Sequence, residues 1–148
     1  MSETTRITTL DGDKDFMAYV AQPEGEPRAA IVVIQEIFGV NAGIRRKCDL
    51  LAEEGYLAVA PDLFWRLGEG IELDPDIEPE FQKALDLMGK FDQDAGVKDI
   101  EATIKWARED SGKNQSHVFP GPLQSHARQQ GTRQHPYGVQ DGDPEARR

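Results

Sequence analysis

Several features common in other protein classes are scarce in this sequence of 148 residues. Its single cysteine, Cys48, excludes an internal disulfide and any zinc site built on paired cysteines. No apolar run approaches the roughly 18 residues of a membrane helix, and residues 1–6 lack the apolar core of a signal peptide. Bases are outnumbered, 17 against 27 acids, and the net charge of −10 disfavours nucleic acid and anionic lipid as partners. We therefore expect a cytoplasmic protein with no nucleic-acid or membrane partner.

Large apolar side chains are also scarce after Arg108. Of the 40 residues 109–148, 18 are Gly, Pro, Gln or Ser, a bias typical of disordered segments. All three histidines, His117, His126 and His135, lie there. The prolines and glycines between them predict no helix or strand that would bring them together on a metal. We expect an ordered domain over residues 1–110 and, over 111–148, a low-complexity tail that is disordered or results from a shifted reading frame.

The first 110 residues alternate between strand and helix patterns. Residues 4–10 and 16–21 flank an Asp-Gly-Asp turn signal and predict a β-hairpin. Residues 29–34 and 56–60 are continuous apolar runs, which predict strands buried on both faces. Between them, Asn41 can cap a helix that ends at Gly55.

Two further helices are predicted from apolar side chains at helical spacing. The first covers residues 80–91, with an apolar face formed by Phe81, Ala84, Leu85, Met88 and Phe91. The second has an apolar face formed by Val97, Ile100, Ile104 and Ala107. Strands alternating with helices in this order predict an α/β fold in which helices cover a parallel sheet.

One contiguous motif is specific enough to indicate a family. Residues 31–41 read IVVIQEIFGVN, and this stretch resembles the third strand and following loop of the dienelactone hydrolase family of α/β-hydrolases. Three further stretches follow at the spacing of that family: residues 54–56 (EGY), 60–64 (APDLF), and 91–92 (FD) with 99–102 (DIEA). The resemblance covers about residues 5–113. It implies the N-terminal half of an α/β-hydrolase fold, with a mostly parallel sheet flanked by helices.

The resemblance also implies a chemistry for the loop after the third strand. Members of the family hydrolyse esters or lactones with a triad centred on a cysteine, without a metal or an organic cofactor. Backbone N–H groups stabilise the developing oxyanion, and Ile37 matches the donor in this loop. Glu36 matches the glutamate that contacts the nucleophilic thiol, where a carboxylate influences thiolate formation. Arg66 is a weaker candidate, since an arginine can bind an anionic substrate through paired hydrogen bonds.

The expected nucleophile does not follow in this sequence. In the family, a fifth strand and a Gly-x-Cys-x-Gly-Gly elbow come after the position of Gly112-Lys113, but residues 114–120 read NQSHVFP. Cys48 is no substitute, because its place on the apolar face of a predicted helix is typical of a small core residue. The nucleophile, the triad acid and the triad histidine are all missing, and we expect the chain to be inactive.

The sequence is also compatible with two alternatives to a hydrolase. The first is a non-catalytic fragment or an interaction protein. In the family topology the third strand lies between the fourth and fifth, so without a fifth strand residues 29–34 have an open edge through which copies of the chain could self-associate. The second is a complete small α/β binding domain. That alternative lacks a phosphate-binding loop, because Gly68-Glu69-Gly70 neither directly follows a strand nor opens a helix.

Overall fold

A computed structural model describes residues 1–109 of the chain. Residues 110–148, which contain the predicted tail and the three histidines, lie outside the described part. The order of elements is β1 (Ser2–Thr8), β2 (Asp15–Ala21), β3 (Ala30–Val32), α1 (Ala42–Glu53), β4 (Leu57–Pro61), α2 (Glu78–Lys90) and α3 (Gln93–Glu109). Each predicted strand and helix is present in the predicted order. None of these three helices is long and apolar enough to cross a bilayer.

The four strands form one sheet in the order β1-β2-β4-β3. The predicted hairpin is confirmed: β1 and β2 are antiparallel and Gly12 occupies the left-handed region at the turn, with φ 78°. β2 is antiparallel to β4, whereas β3 is parallel to β4. The α/β class with flanking helices is confirmed, but this part of the sheet is mixed rather than mostly parallel. A tight turn forces the antiparallel return of β2, while the crossover through α1 allows β3 and β4 to run parallel.

The two faces of the sheet carry separate apolar clusters. Alternate residues of a strand point to opposite faces, and β4 contributes Leu57 and Val59 to one face and Ala58 and Ala60 to the other. The first face packs against α3 through Ala102 and is filled by Phe16, Val20 and Ile7. The second face packs against α1 through Ile44 and Cys48. The small alanines on this face allow α1 to approach the sheet closely.

The boundaries of α1 follow from local chemistry. The Oδ1 atom of Asn41 accepts a hydrogen bond from the Ile44 N–H at 3.1 Å, which satisfies one of the unpaired donors of the first turn. Gly55, with φ 96°, terminates the helix in the left-handed region that favours glycine. Both signals were recognisable in the sequence, and both predictions are confirmed.

The predicted apolar face of α3 is only partly correct. The buried residues are Gly96, Asp99, Ala102, Thr103 and Ala107, and only Ala107 had been assigned to that face. Val97 is 62% exposed. Two contacts are consistent with this orientation: the aromatic ring of Phe91 fills the space beside Gly96, and Asp99 is buried against hydrogen-bond partners on the loop after β4.

The predicted burial of β3 and of one side of α2 is also wrong in part. β3 is regular over three residues and each is half-buried, while Ile34 is 55% exposed. On α2, Ala84 is buried as predicted, but Met88 is 52% exposed. For β3 the reason is position: within residues 1–109 it is a terminal strand of the sheet and has a neighbour on one side only.

Candidate functional site

The loop that follows β3 is held in place by a second loop, residues 71–73. The Leu73 N–H donates to the Phe38 carbonyl at 2.9 Å, and Gly39 forms a bridge with Glu72. A side chain at Gly39 could not be accommodated, because a Cβ would lie 1.9 Å from the Ile71 carbonyl oxygen, and φ is 78°. Glycine is therefore required here both for its backbone conformation and for the close approach of the second loop.

Gln35 joins this loop to the end of β4. Its Oε1 accepts from the Leu63 N–H at 2.8 Å, and its Nε2 donates to the Glu36 carbonyl at 3.1 Å. Because β3 and β4 are parallel, their carboxyl ends meet at one edge of the sheet, and this amide spans the gap between them. No role is predicted for Gln35 from the sequence, although its place beside Glu36 at the end of a strand was an available signal.

Glu36 and Ile37 lie together at that edge. The Glu36 carboxylate is exposed, and its nearest cation is Lys47, whose Nζ is 4.0 Å from Oε1. The Gly39 N–H donates to the Glu36 carbonyl at 3.3 Å and closes a tight turn around Ile37. Within residues 1–109, no acceptor is hydrogen-bonded to the Ile37 N–H. The arrangement offers one backbone donor and one carboxylate on adjacent residues of a fixed turn.

A cavity of about 370 Å³ opens beside these two residues. Its walls are largely apolar and include Leu63, Phe64, Met88, Val97 and Ile100. Glu36 is the one charged side chain among its lining residues in the described part of the chain. Apolar walls with few polar groups are typical of small-molecule sites.

Arg66, the third predicted site residue, lies elsewhere. Its guanidinium donates to both carboxylate oxygens of Asp99, at 2.6 and 3.1 Å, and stacks 4.3 Å from the centre of the Trp65 ring. Trp65 Nε1 donates to the same carboxylate at 2.9 Å. Asp99 is only 1% exposed, so this cluster fastens the loop after β4 to α3. Arg66 does not line the cavity beside Glu36, and its role in substrate binding stays a prediction.

Cys48 is placed where a small apolar residue is needed. It is fully buried and packs with Ala58 and Ala60 between α1 and the sheet. Burial raises the pKa of its thiol from 9.0 to about 11, since the thiolate would lose its hydration. A thiol that is buried and protonated at neutral pH does not act as a nucleophile. The prediction that Cys48 is a core residue is confirmed.

Asp62 organises the loop that follows β4. It is buried and accepts hydrogen bonds from the N–H groups of Phe64, at 3.1 Å, and Gly70, at 2.9 Å. Burial raises the pKa of this carboxyl, and the two hydrogen bonds oppose the rise by stabilising the charged form. Its contacts are with the backbone of its own loop, as expected of a structural residue.

Comparison with known proteins agrees with the motif in the loop after β3. Residues 16–119 match the dienelactone hydrolase family model. The carboxymethylenebutenolidase of Pseudomonas putida is 44% identical over 108 residues, which are 73% of this chain and 45% of that protein. Carboxymethylenebutenolidase 1 of Cupriavidus pinatubonensis is 38% identical over 108 residues, or 46% of its length. The chain therefore spans less than half the length of these relatives.

Solved structures show the same relationship in three dimensions. A protein of Klebsiella pneumoniae provisionally assigned as a dienelactone hydrolase superimposes with a TM-score of 0.58 at 33% identity, over 76% of this chain and 46% of that one. A dienelactone hydrolase-like promiscuous phosphotriesterase from metagenomic libraries gives a TM-score of 0.52 at 19% identity, over 78% and 46%, and shows the fold alone. On the sequence match and the shared fold, the chain belongs to the dienelactone hydrolase family.

Proposed function

We propose that residues 1–109 are the part of an ester- or lactone-hydrolysing fold that supplies Glu36 and the Ile37 N–H to its active site. The observation that carries the proposal is the turn 35–39, which Gln35 and Gly39 hold rigid at the carboxyl end of the parallel strands. In open α/β sheets ligands bind at this end of the strands. The donor at Ile37 would stabilise an acyl oxyanion, and Glu36 would contact the attacking thiol.

The substrate class follows from the cavity beside this turn. Its apolar lining suits the apolar portion of a small ester or lactone. The reaction as proposed uses no metal and no organic cofactor. Because the chain has an excess of acids and a single cysteine, we place this chemistry in the cytoplasm, away from nucleic acid and membranes.

We further propose that the chain does not catalyse this hydrolysis by itself. Its single cysteine is buried in α1, and its sequence contains no Gly-x-Cys-x-Gly-Gly elbow. Without a nucleophile and a base, an oxyanion donor alone cannot support hydrolysis through a covalent intermediate. The purified chain should therefore hydrolyse p-nitrophenyl acetate and a dienelactone no faster than buffer. Turnover that copurifies with the chain and is lost in Cys48→Ser would contradict the proposal.

A chimera tests whether the two site residues are competent. Residues 1–109 would replace the matching segment of the Pseudomonas putida carboxymethylenebutenolidase, which is similar over nearly the same length. The chimera should hydrolyse p-nitrophenyl acetate, and Glu36→Gln should lower kcat while leaving folding unchanged. Glu101→Gln, an exposed change on α3, is the matched control. If the folded chimera keeps the same kcat after Glu36→Gln, the role assigned to Glu36 is refuted.

A second candidate function, an interaction protein, rests on the edge of β3. Within residues 1–109, β3 pairs with β4 alone, and residues 30–34 contain no charge and no proline that would block a further strand. An unpaired strand edge of this kind pairs with strands of other chains, which leads either to specific association or to aggregation. The Val32→Lys variant should therefore stay in solution at concentrations at which the wild-type chain associates, and equal association of both proteins would remove this candidate.

A further inference from the structure

The peptide unit between Glu36 and Ile37 has the proposed oxyanion donor at one end and a hydrogen-bonded carbonyl at the other. A peptide unit is planar and trans, so its C=O and N–H point in opposite directions. Any group that fixes the Glu36 carbonyl therefore also fixes the direction of the Ile37 N–H. Side-chain packing alone does not fix it, because a peptide plane can rotate about its flanking φ and ψ bonds while the Cα atoms stay in place.

Two donors hold the Glu36 carbonyl. Gln35 Nε2 donates to it at 3.1 Å and the Gly39 N–H donates to it at 3.3 Å. Because N–H···O bonds in proteins usually measure about 2.7–3.2 Å, the bond from Gly39 is long and the bond from Gln35 is the better of the two. Hydrogen bonds that a carbonyl accepts also polarise its peptide unit, which makes the N–H at the far end a stronger donor.

The Gln35 amide has one favoured orientation. Its Oε1 accepts from the Leu63 N–H at 2.8 Å, just after the end of β4. Only the oxygen of an amide can accept from that N–H, and only the nitrogen can donate to the Glu36 carbonyl. Exchanging the two atoms would break both bonds. The end of β4 therefore fixes, through this one side chain, the peptide unit that carries the donor.

We propose that Gln35 is the positioning residue of the candidate site: its amide orients the Ile37 N–H by holding the other end of the same peptide unit. The inference rests on the proposed function, in which the Ile37 N–H stabilises the oxyanion. Such a donor is effective only when it is aimed at the position where the negative charge develops. Gln35 acts through the backbone and needs no contact with the substrate.

Nuclear magnetic resonance of the full chain tests the two bonds of the amide separately. Gln35→Glu keeps an oxygen for the Leu63 N–H, but at neutral pH the new carboxylate has no proton to donate to the Glu36 carbonyl. Gln35→Met is similar in size and removes both bonds. The residual dipolar coupling and the order parameter of the Ile37 N–H measure its direction and rigidity, and hydrogen exchange at the Leu63 amide measures the second bond.

Both variants should change the Ile37 dipolar coupling and lower its order parameter from about 0.85 to below about 0.6. The Leu63 amide should exchange about tenfold faster in Gln35→Met but at nearly the wild-type rate in Gln35→Glu. Gln82→Met is the matched control, because it removes an amide that donates to Glu78 on the exposed side of α2. This control should leave the Ile37 and Leu63 readouts unchanged.

An Ile37 N–H that keeps its direction and order in Gln35→Glu would overturn the proposal, because the bond to Leu63 would then be sufficient. A disordered Ile37 N–H in the wild-type chain would overturn it as well. If Gln35→Met does not fold, Gln35→Glu decides by itself. None of these readouts measures hydrolysis, so the chimera can fail to respond to Glu36→Gln while the geometry holds, and a failure here is distinct from a failure of the proposed function.

Discussion

Gly39 and Gly12 form a matched pair for testing how tightly the candidate site is built. Both adopt φ 78°, so at either position the left-handed backbone conformation of an alanine should lower the free energy of unfolding by the same amount, about 1–2 kcal/mol. They differ in surroundings. A Cβ at Gly12 meets nothing within 4 Å, whereas a Cβ at Gly39 would lie 1.9 Å from the oxygen and 2.9 Å from the carbon of the Ile71 carbonyl. The contact is with backbone, so no side-chain rotation relieves it.

The magnitude follows from adding the effects of this clash. Forcing extra volume into a packed site costs about 1–3 kcal/mol. Moving the second loop away also weakens the Leu73–Phe38 hydrogen bond and the Gly39–Glu72 bridge, at about 1 kcal/mol for each bond. With the left-handed penalty included, Gly39→Ala should therefore lower the free energy of unfolding by about 4–7 kcal/mol, against about 1–2 kcal/mol for Gly12→Ala.

Urea denaturation followed by the fluorescence of Trp65 and Trp106 measures both values. Hydrogen exchange then locates the damage, which should appear at the Leu73 amide in Gly39→Ala and remain near the hairpin turn in Gly12→Ala. Equal destabilisation by the two variants, with no change at Leu73, would show that the second loop can retreat without cost. In that case the turn around Ile37 would not be rigid, and the physical basis of the proposed oxyanion donor would be lost.

One thiol, one buried carboxylate and one helix cap give three more measurable effects. Burial raises the pKa of the Cys48 thiol from 9.0 to about 11, so the stability that it contributes is complete below pH 9 and is lost as pH rises through 11, because only the unfolded thiol ionises in that interval. A thiol reagent at pH 8 should therefore label Cys48 only at the rate of unfolding. Rapid labelling of the native chain would be inconsistent with burial. Asp99→Asn should lower the free energy of unfolding by about 2 kcal/mol; this is less than the loss of a fully buried ion pair, because Arg66 is partly exposed. The control Glu101→Gln should change the free energy of unfolding by less than about 0.5 kcal/mol in the same urea titration. Asn41→Ala should cost about 1 kcal/mol in thermal unfolding, and Asn41→Asp, which keeps the acceptor for the Ile44 N–H but loses the Nδ2 hydrogen bond to the Leu73 carbonyl, should recover only part of it.

Much of the architecture could be predicted from the residues because its signals are local. The cap at Asn41 acts on a backbone N–H three residues away, and the turn at Gly12 depends on the conformation of one residue. The motif at residues 31–41 is contiguous, so the family and the proximity of Glu36 to Ile37 could be inferred together. Interactions that span a few residues leave a readable pattern in the order of the side chains.

The orientation of α3 and the partner of Arg66 were decided only in three dimensions. A 3.6-residue period predicts that α3 has an apolar stripe, but the rotation of the helix depends on what it meets. Here the close approach of Phe91 to Gly96 and the burial of Asp99 are consistent with the outward orientation of Val97. Arg66 reaches Asp99 across 33 residues, a pairing that no local pattern specifies.

The same division applies to the candidate site. The residues 31–41 determine that a strand, a glutamate and a glycine turn follow one another. Only the tertiary structure brings Leu63 to the amide of Gln35 and the Ile71 carbonyl against Gly39, and only the strand order leaves β3 with one neighbour. The physical reason is that local chemistry sets φ, ψ and element type, while packing between distant segments selects which edges and faces are covered.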